Sequence, residues 1–128
     1  MHFFLSSKDC LDSHPNNHAW DFTIDIKSYI PLKGIWKCAL MDIDYDGEKE
    51  EDLYIFSDLC APSYVTSSHL PVLRVVNKPN PGFCYPYFIP VGRDFVDRIR
   101  IYIRTRTGNI PSFTPKILRC TLYLHCEI

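Results

Sequence analysis

Hydrophobic and polar residues alternate with a period of two along most of this chain, the pattern of strands with one face buried. The clearest run spans Lys116 to Ile128. There Leu118, Cys120, Leu122, Leu124, Cys126 and Ile128 fall on one side, and Arg119, Thr121, Tyr123, His125 and Glu127 on the other. From Asp97 to Arg106, Ile99, Ile101 and Ile103 alternate with Arg98, Arg100, Tyr102, Arg104 and Arg106. From Trp20 to Lys27, Phe22, Ile24 and Ile26 alternate with Thr23, Asp25 and Lys27. Shorter apolar runs predict strands at His2 to Ser6, Ile35 to Ile43, Leu53 to Ser57, Leu70 to Val76 and Tyr87 to Val91. Only Ser28 to Leu32 and Arg93 to Val96 leave room for a single helical turn. Eight strands with irregular connections and few two-residue hairpin signals predict an all-β, antiparallel Greek-key sandwich rather than an up-and-down barrel.

Composition supports that class. Ten prolines against five glycines, with an aromatic content of 14%, suit short strands joined by stiff loops. At 128 residues, with no linker, repeat or low-complexity tract, residues 1–128 form one domain large enough to fold without metal or disulfide staples. The net charge of -1 argues against a general nucleic-acid coat or a polybasic membrane binder, and leaves a local patch open. No apolar stretch approaches a membrane span, and the apolar start Phe3-Phe4-Leu5 is too short for a secretory core. Cys10, Cys38, Cys60, Cys84, Cys120 and Cys126 contain no C-x-x-C pair. Reduced, mostly buried thiols in an intracellular compartment are expected, with a secreted disulfide framework as the alternative on the even count.

Candidate chemistry is sparse. Asp42-Ile43-Asp44-Tyr45-Asp46-Gly47 opens like an EF-hand loop, but the twelfth position is Leu53 rather than glutamate, and the preceding residues read as strand. The preferred reading is a strand end running into a solvated acidic loop. A calcium loop of another type, using Asp42, Asp44, Asp46 and Glu48, stays open. His14 and His18 are four apart, but Pro15, Asn16 and Asn17 between them predict a turn rather than a helix bearing a metal pair. His125 falls on the face opposite Cys120 and Cys126, which disfavours zinc there. There is no nucleophile elbow, phosphate-binding loop, zincin helix or dinucleotide fingerprint, so no catalytic residue, cofactor or metal is assigned and an enzyme is the minority reading.

The basic stripe is the most informative feature. Arg98, Arg100, Tyr102, Arg104 and Arg106 project from one strand face. They suit a solvated or internally paired surface first, a protein interface second, and single-stranded nucleic acid last. Seven of the 15 acidic residues lie between Asp42 and Asp52, and seven of the 14 basic residues between Arg93 and Arg119. The candidate interface therefore joins the basic stripe to Asp44, Asp46, Glu48 and Glu50 of another copy, head to tail.

The order of segments also resembles a known family. His2-Phe3-Phe4-Leu5-Ser6-Ser7, Asp12, Pro15-Asn16-Asn17 and Phe22-Thr23-Ile24 resemble a start of the type FYLTLPSNSS…FPDNT…F-x-V. Ile30 to Ile43 resembles I-x-L-x-G-x-W-x-V-x-L-x-E-I, Leu53 to Leu59 resembles LYVYCDL, and Leu70 to Val76 resembles VPLLRVV. Tyr87 to Val91 and Ile99 to Gly108 resemble QYVPL and I-x-I-x-I-R-x-x-T-G. The chain is thus similar to small structural proteins of Polinton (Maverick) elements and adintoviruses. It departs from them in being shorter after Asp46 and in carrying arginine near residue 100 where acidic residues are expected. The resemblance implies a single jelly roll serving as a minor, vertex-type capsid protein of a virion assembled in the host cytoplasm or nucleus. Its implied partners are further copies of itself, as a pentamer, and a major capsid protein. The alternative is a receptor- or glycan-binding β-sandwich, with Tyr64, Phe83, Tyr85 and Tyr87 lining the pocket.

Overall fold

The structure, a computed structural model, describes residues 1–45, 52–65, 68–77, 85–111 and 120–128, and for Tyr64 and Val65 the backbone only. Asp46, Glu48, Glu50, Phe83, Cys84 and the start of the expected last strand, Lys116 to Arg119, lie outside the described residues. The strands are β1 (His2–Ser6), β2 (Asp21–Pro31), β3 (Lys37–Tyr45), β4 (Leu53–Ser57), β5 (Ser63–Val65), β6 (Ser68–Leu70), β7 (Val72–Val76), β8 (Ile89–Pro90), β9 (Phe95–Thr105) and β10 (Cys120–Glu127). They form two four-stranded sheets and one hairpin. The first sheet runs β1-β10-β3-β8, the second β2-β9-β4-β7, and β5 pairs with β6. Every pairing is antiparallel. Among the described residues no helix is long and apolar enough to cross a membrane.

The alternation decides which side chains meet. Ile99, Ile101 and Ile103 of β9 pack with Phe22 and Ile24 of β2 and Leu53 and Ile55 of β4. Leu122, Leu124, Cys120 and Cys126 of β10 and Phe3 and Leu5 of β1 join the same buried cluster from the other sheet. One core therefore lies between two sheets, as in a β-sandwich. Strand β3 shows a pattern that strict alternation misses: Cys38 and Leu40 face inward, and so do Ile43 and Tyr45. The register slips between Tyr123, opposite Asp42, and Leu124, opposite Leu40, so Met41 is an extra residue in a bulge that resets the face.

Several expected boundaries are corrected. Ser28 to Leu32 is not a helical turn; β2 continues to Pro31 and pairs Ile30 with Val96 after an irregular stretch from Asp25. Lys27 has φ 58° in that stretch, where the left-handed conformation lets the strand bulge without ending. Arg93 to Val96 is not helical either, since β9 begins at Phe95. Leu70 belongs to β6 rather than to the strand after it, because Pro71 has no amide hydrogen and interrupts the ladder. Tyr87 to Val91 contracts to Ile89–Pro90 at the edge of the first sheet. Ile128 is 76% exposed beyond β10 instead of continuing its inner face. Gly92 has a clear role: a Cβ there would lie 3.0 Å from the Ala61 backbone, against which the end of β8 is pinned by a 2.8 Å bond from Ala61 N–H to Pro90 C=O.

Five of the six cysteines are described, and all five are free. Cys38, Cys60 and Cys126 meet in the core, with the Cys38 and Cys60 sulfurs 3.7 Å apart. Cys126 is held above the ordinary thiol range by its hydrogen bond to Cys38 and by burial. At Cys38 the bond to Cys126 acts downward, but the bond to Cys60 and burial outweigh it. Burial, reinforced by the Asp44 charge, raises Cys120 as well. Protonated, enclosed thiols are poor nucleophiles. Cys38, Cys60, Cys120 and Cys126 are therefore expected to resist a disulfide-exchange reagent in the native protein and to react on unfolding in urea. Prompt native titration of all six thiols would contradict this packing.

Candidate functional site: two opposite sheet faces

The outer face of the second sheet carries the basic stripe. Arg98, Arg100, Tyr102 and Arg104 all lie within β9, because inward Ile99, Ile101 and Ile103 force the alternate positions out. Arg106 lies past the strand end, in the turn before Gly108, so it does not continue the row. Arg100 grips Asp21 of β2 in a two-pronged contact, Nε to Oδ1 at 3.0 Å and Nη2 to Oδ2 at 2.8 Å. Arg104 Nη2 is 3.7 Å from the same carboxylate, and its Nη1 donates to the carbonyls of Trp20 and Ile103. Tyr102 lies between these guanidiniums, 4.7 Å from that of Arg100 and 5.5 Å from that of Arg104. Phe56 of β4, its cross-strand partner, stacks on it at 4.9 Å with the rings 12° apart. Two of the arginines thus already share an internal counter-ion, and any partner at this face meets a partly neutralised surface.

Asp21 sets a pH dependence. Burial alone would raise its pKa, but the hydrogen bonds from Arg100 and the charges of Arg100 and Arg104 outweigh it and hold the carboxyl below its usual range. A depressed carboxylate pKa contributes stability above the unfolded value of about 4 and loses it as pH falls through the folded value. With Arg100 half exposed, Asp21→Asn is expected to cost about 1 kcal/mol at pH 7, or roughly 3–5 °C in Tm. The gap between the two proteins should close as the pH falls through the depressed folded value of Asp21, below which both carry a neutral side chain. A gap that persists once Asp21 is protonated would rule the ion pair out as its source.

Beside Asp21 lies a polar recess of about 440 Å³, lined by His14, Asn17, His18, Asp21, Thr23 and Arg100 among others. His14 and His18 share it, although the intervening turn argued against pairing them. His14 Nε2 is 3.0 Å from Asp25 Oδ1, and His18 Nδ1 accepts from the Trp20 amide at 3.3 Å. Asn17 braces the loop, bonding to Asp9 C=O and to both the N–H and C=O of Thr23.

The outer face of the first sheet has a different character. Here a ladder of rings crosses β1 and β10. Phe4 lies 4.5 Å from Tyr123, Tyr123 lies 5.5 Å from His2, and His2 lies 4.4 Å from His125. Phe88 stands 6.3 Å from His125, with the Lys37 ammonium 4.7 Å over its ring. Phe4 is 72% exposed. Asp42 and Asp44 of β3 lie exposed on the same side, bordering a shallow depression with Asp9, Phe4 and Tyr123. Asp44 is therefore on the sheet opposite the arginine row. Among the described residues no group of three or more His, Cys, Asp or Glu is arranged to hold a metal ion.

Sequence reasoning did not assemble this ladder. The outward setting of Tyr123 and His125 was legible, but the pairing of β1 with β10 that brings His2 and Phe4 beside them was not. A third surface, a groove of about 1040 Å³, is lined by Tyr54, Phe56, Val72, Arg74, Tyr87 and residues of the Thr105 to Gly108 turn. Tyr87 reaches it at 61% exposure, while Tyr85 is 81% exposed.

Comparison of the chain with protein-family models, with curated proteins and with solved structures gives no match in any of the three.

Proposed function

We propose that this protein is a virion structural subunit, a minor vertex-type capsid protein built as a single jelly roll, acting by self-association rather than by catalysis. Strand order carries the proposal. With the β5–β6 hairpin set aside, β1-β10-β3-β8 faces β2-β9-β4-β7. The late strands β10 and β9 are each inserted between early ones, β10 between β1 and β3 and β9 between β2 and β4, an order that supports the jelly-roll reading. The segment-by-segment resemblance to Polinton and adintovirus structural proteins supports the same assignment, and free thiols suit assembly in a host cytoplasm or nucleus.

The self-contact is heterologous. The Phe4–Tyr123 ladder with its acidic border of Asp9, Asp42 and Asp44 meets the Arg98 and Arg100 side of the next copy, and a suitable rotation closes a ring, a pentamer in this proposal. A major capsid protein then contacts the ring from outside. Solution mass by light scattering, over a range of concentration and salt, tests this. A discrete oligomer that weakens as salt rises supports it; a strict monomer at high concentration, with and without the major capsid partner, overturns it. The groove beside Tyr54, Phe56 and Tyr87 favours a second reading, a glycan- or receptor-recognition module, for which a thermal shift with sugars is the corresponding test.

A further inference from the structure

His2 of β1 and His125 of β10 are direct cross-strand partners. Their Nδ1 atoms face one another at 3.1 Å. On its far side, His125 Nε2 lies 3.0 Å from Glu127 Oε2. Lys37 Nζ is 3.4 Å from the other oxygen of that carboxylate. A carboxylate oxygen accepts from a ring N–H, so the tautomer of His125 with its proton on Nε2 satisfies Glu127 and turns the lone pair of Nδ1 toward His2.

The other ring has a similar constraint. Tyr123 Oη lies 2.6 Å from His2 Nδ1. A phenol donating at that distance leaves His2 with its lone pair on Nδ1 as well. The two Nδ1 atoms and the phenol oxygen then converge as three potential ligand atoms, an arrangement that a positive centre between the nitrogens stabilises. That centre is a proton or a metal ion.

The distance accommodates a metal ion as well as a proton. Two imidazole nitrogens bound at 2.0–2.1 Å to one ion stand about 3.3–3.4 Å apart at a tetrahedral angle and about 2.9 Å apart at a right angle. The observed 3.1 Å falls between these values. The carboxylate on the outer ring nitrogen is the arrangement that fixes the tautomer and raises the basicity of metal-bound histidine. We propose that His2 Nδ1 and His125 Nδ1, with Tyr123 Oη beside them and Glu127 orienting His125, bind one divalent transition-metal ion of the zinc or copper class on the outer face of the first sheet. Two imidazoles and a phenol leave open coordination positions on the ion. This site is independent of the capsid assignment.

Calorimetric titration of the full chain with Zn²⁺ at pH 7.5 tests it, paired with electron paramagnetic resonance of the Cu²⁺-loaded protein. One equivalent is expected, with a copper spectrum showing two coordinated imidazole nitrogens. The double variant His2→Gln/His125→Gln should weaken binding at least tenfold, and Glu127→Gln about tenfold by loss of the orienting carboxylate. His14→Gln/His18→Gln should leave it unchanged, which separates this pair from the recess on the other sheet. Lowering the pH to 5.5 should weaken binding, because protons compete for the same lone pairs. If the wild type binds no Zn²⁺, or binds it no more tightly than the double variant, a proton holds the pair and the proposal is wrong. The copper spectrum of the wild type needs no variant; absence of two-imidazole coupling would overturn the site by itself.

Discussion

Phe22→Ala is expected to cost about 3–5 kcal/mol, the range for removing a large aromatic side chain from a packed core. Phe22 is 1% exposed and stands opposite Ile101 across the β2–β9 ladder, in contact with the buried cluster that joins the sheets. The cavity left behind has rigid walls, because β9 is held on both sides, by β2 and by β4, and cannot shift inward. Against a total stability of about 5–15 kcal/mol, such a loss leaves a marginal protein or none. Phe4→Ala supplies the contrast: the same chemistry at a position 72% exposed is expected to change stability by less than about 0.5 kcal/mol. Urea midpoints read both. Equal effects at the two positions would mean that the sandwich does not pack as described.

Phe4→Lys is the second large effect. It leaves folding intact and, under the proposed head-to-tail contact, removes an aromatic anchor while placing a positive charge against the arginine face of the neighbour. Central aromatic anchors are worth about 2–4 kcal/mol on truncation, so self-association should weaken by about 30-fold or more. Arg98→Glu on the opposite face should weaken it too, and raised salt should blunt the wild-type contact more than that of the variant. A wild-type oligomer whose mass and salt dependence survive both substitutions is held together by another surface.

The elements were legible where burial on one face wrote a strict alternation. Ile99, Ile101 and Ile103, and Leu122, Leu124 and Cys126, are inward as their spacing demands. Legibility failed where backbone chemistry broke the period. The β5–β6 hairpin has strands of three residues, too short for a pattern to emerge. The bulge at Met41 shifts the inner face of β3 by one position, and the bulge near Lys27 made a continuing strand look like a turn. Of the candidate site, the arginine row was readable because it lies within one strand. Its counter-ion Asp21, 79 residues from Arg100, was not. Nor was the meeting of His2 with His125 across 123 residues, since cross-strand register is set by how the whole sheet closes.

That closure has a consequence for how the chain is made. β1 has one strand partner in its sheet, β10, and β10 is also the strand that joins β1 to β3. While the ribosome is still adding the residues between them, Phe3 and Leu5 have emerged with no strand to cover them. The second sheet has its complete set of strands once β9 is out, but the first cannot close until Cys120–Glu127 clears the exit tunnel. Long-range pairing of this kind is slow, on the order of milliseconds to seconds, and it leaves the apolar side of β1 open to chaperones or to a neighbouring nascent chain until β10 has emerged.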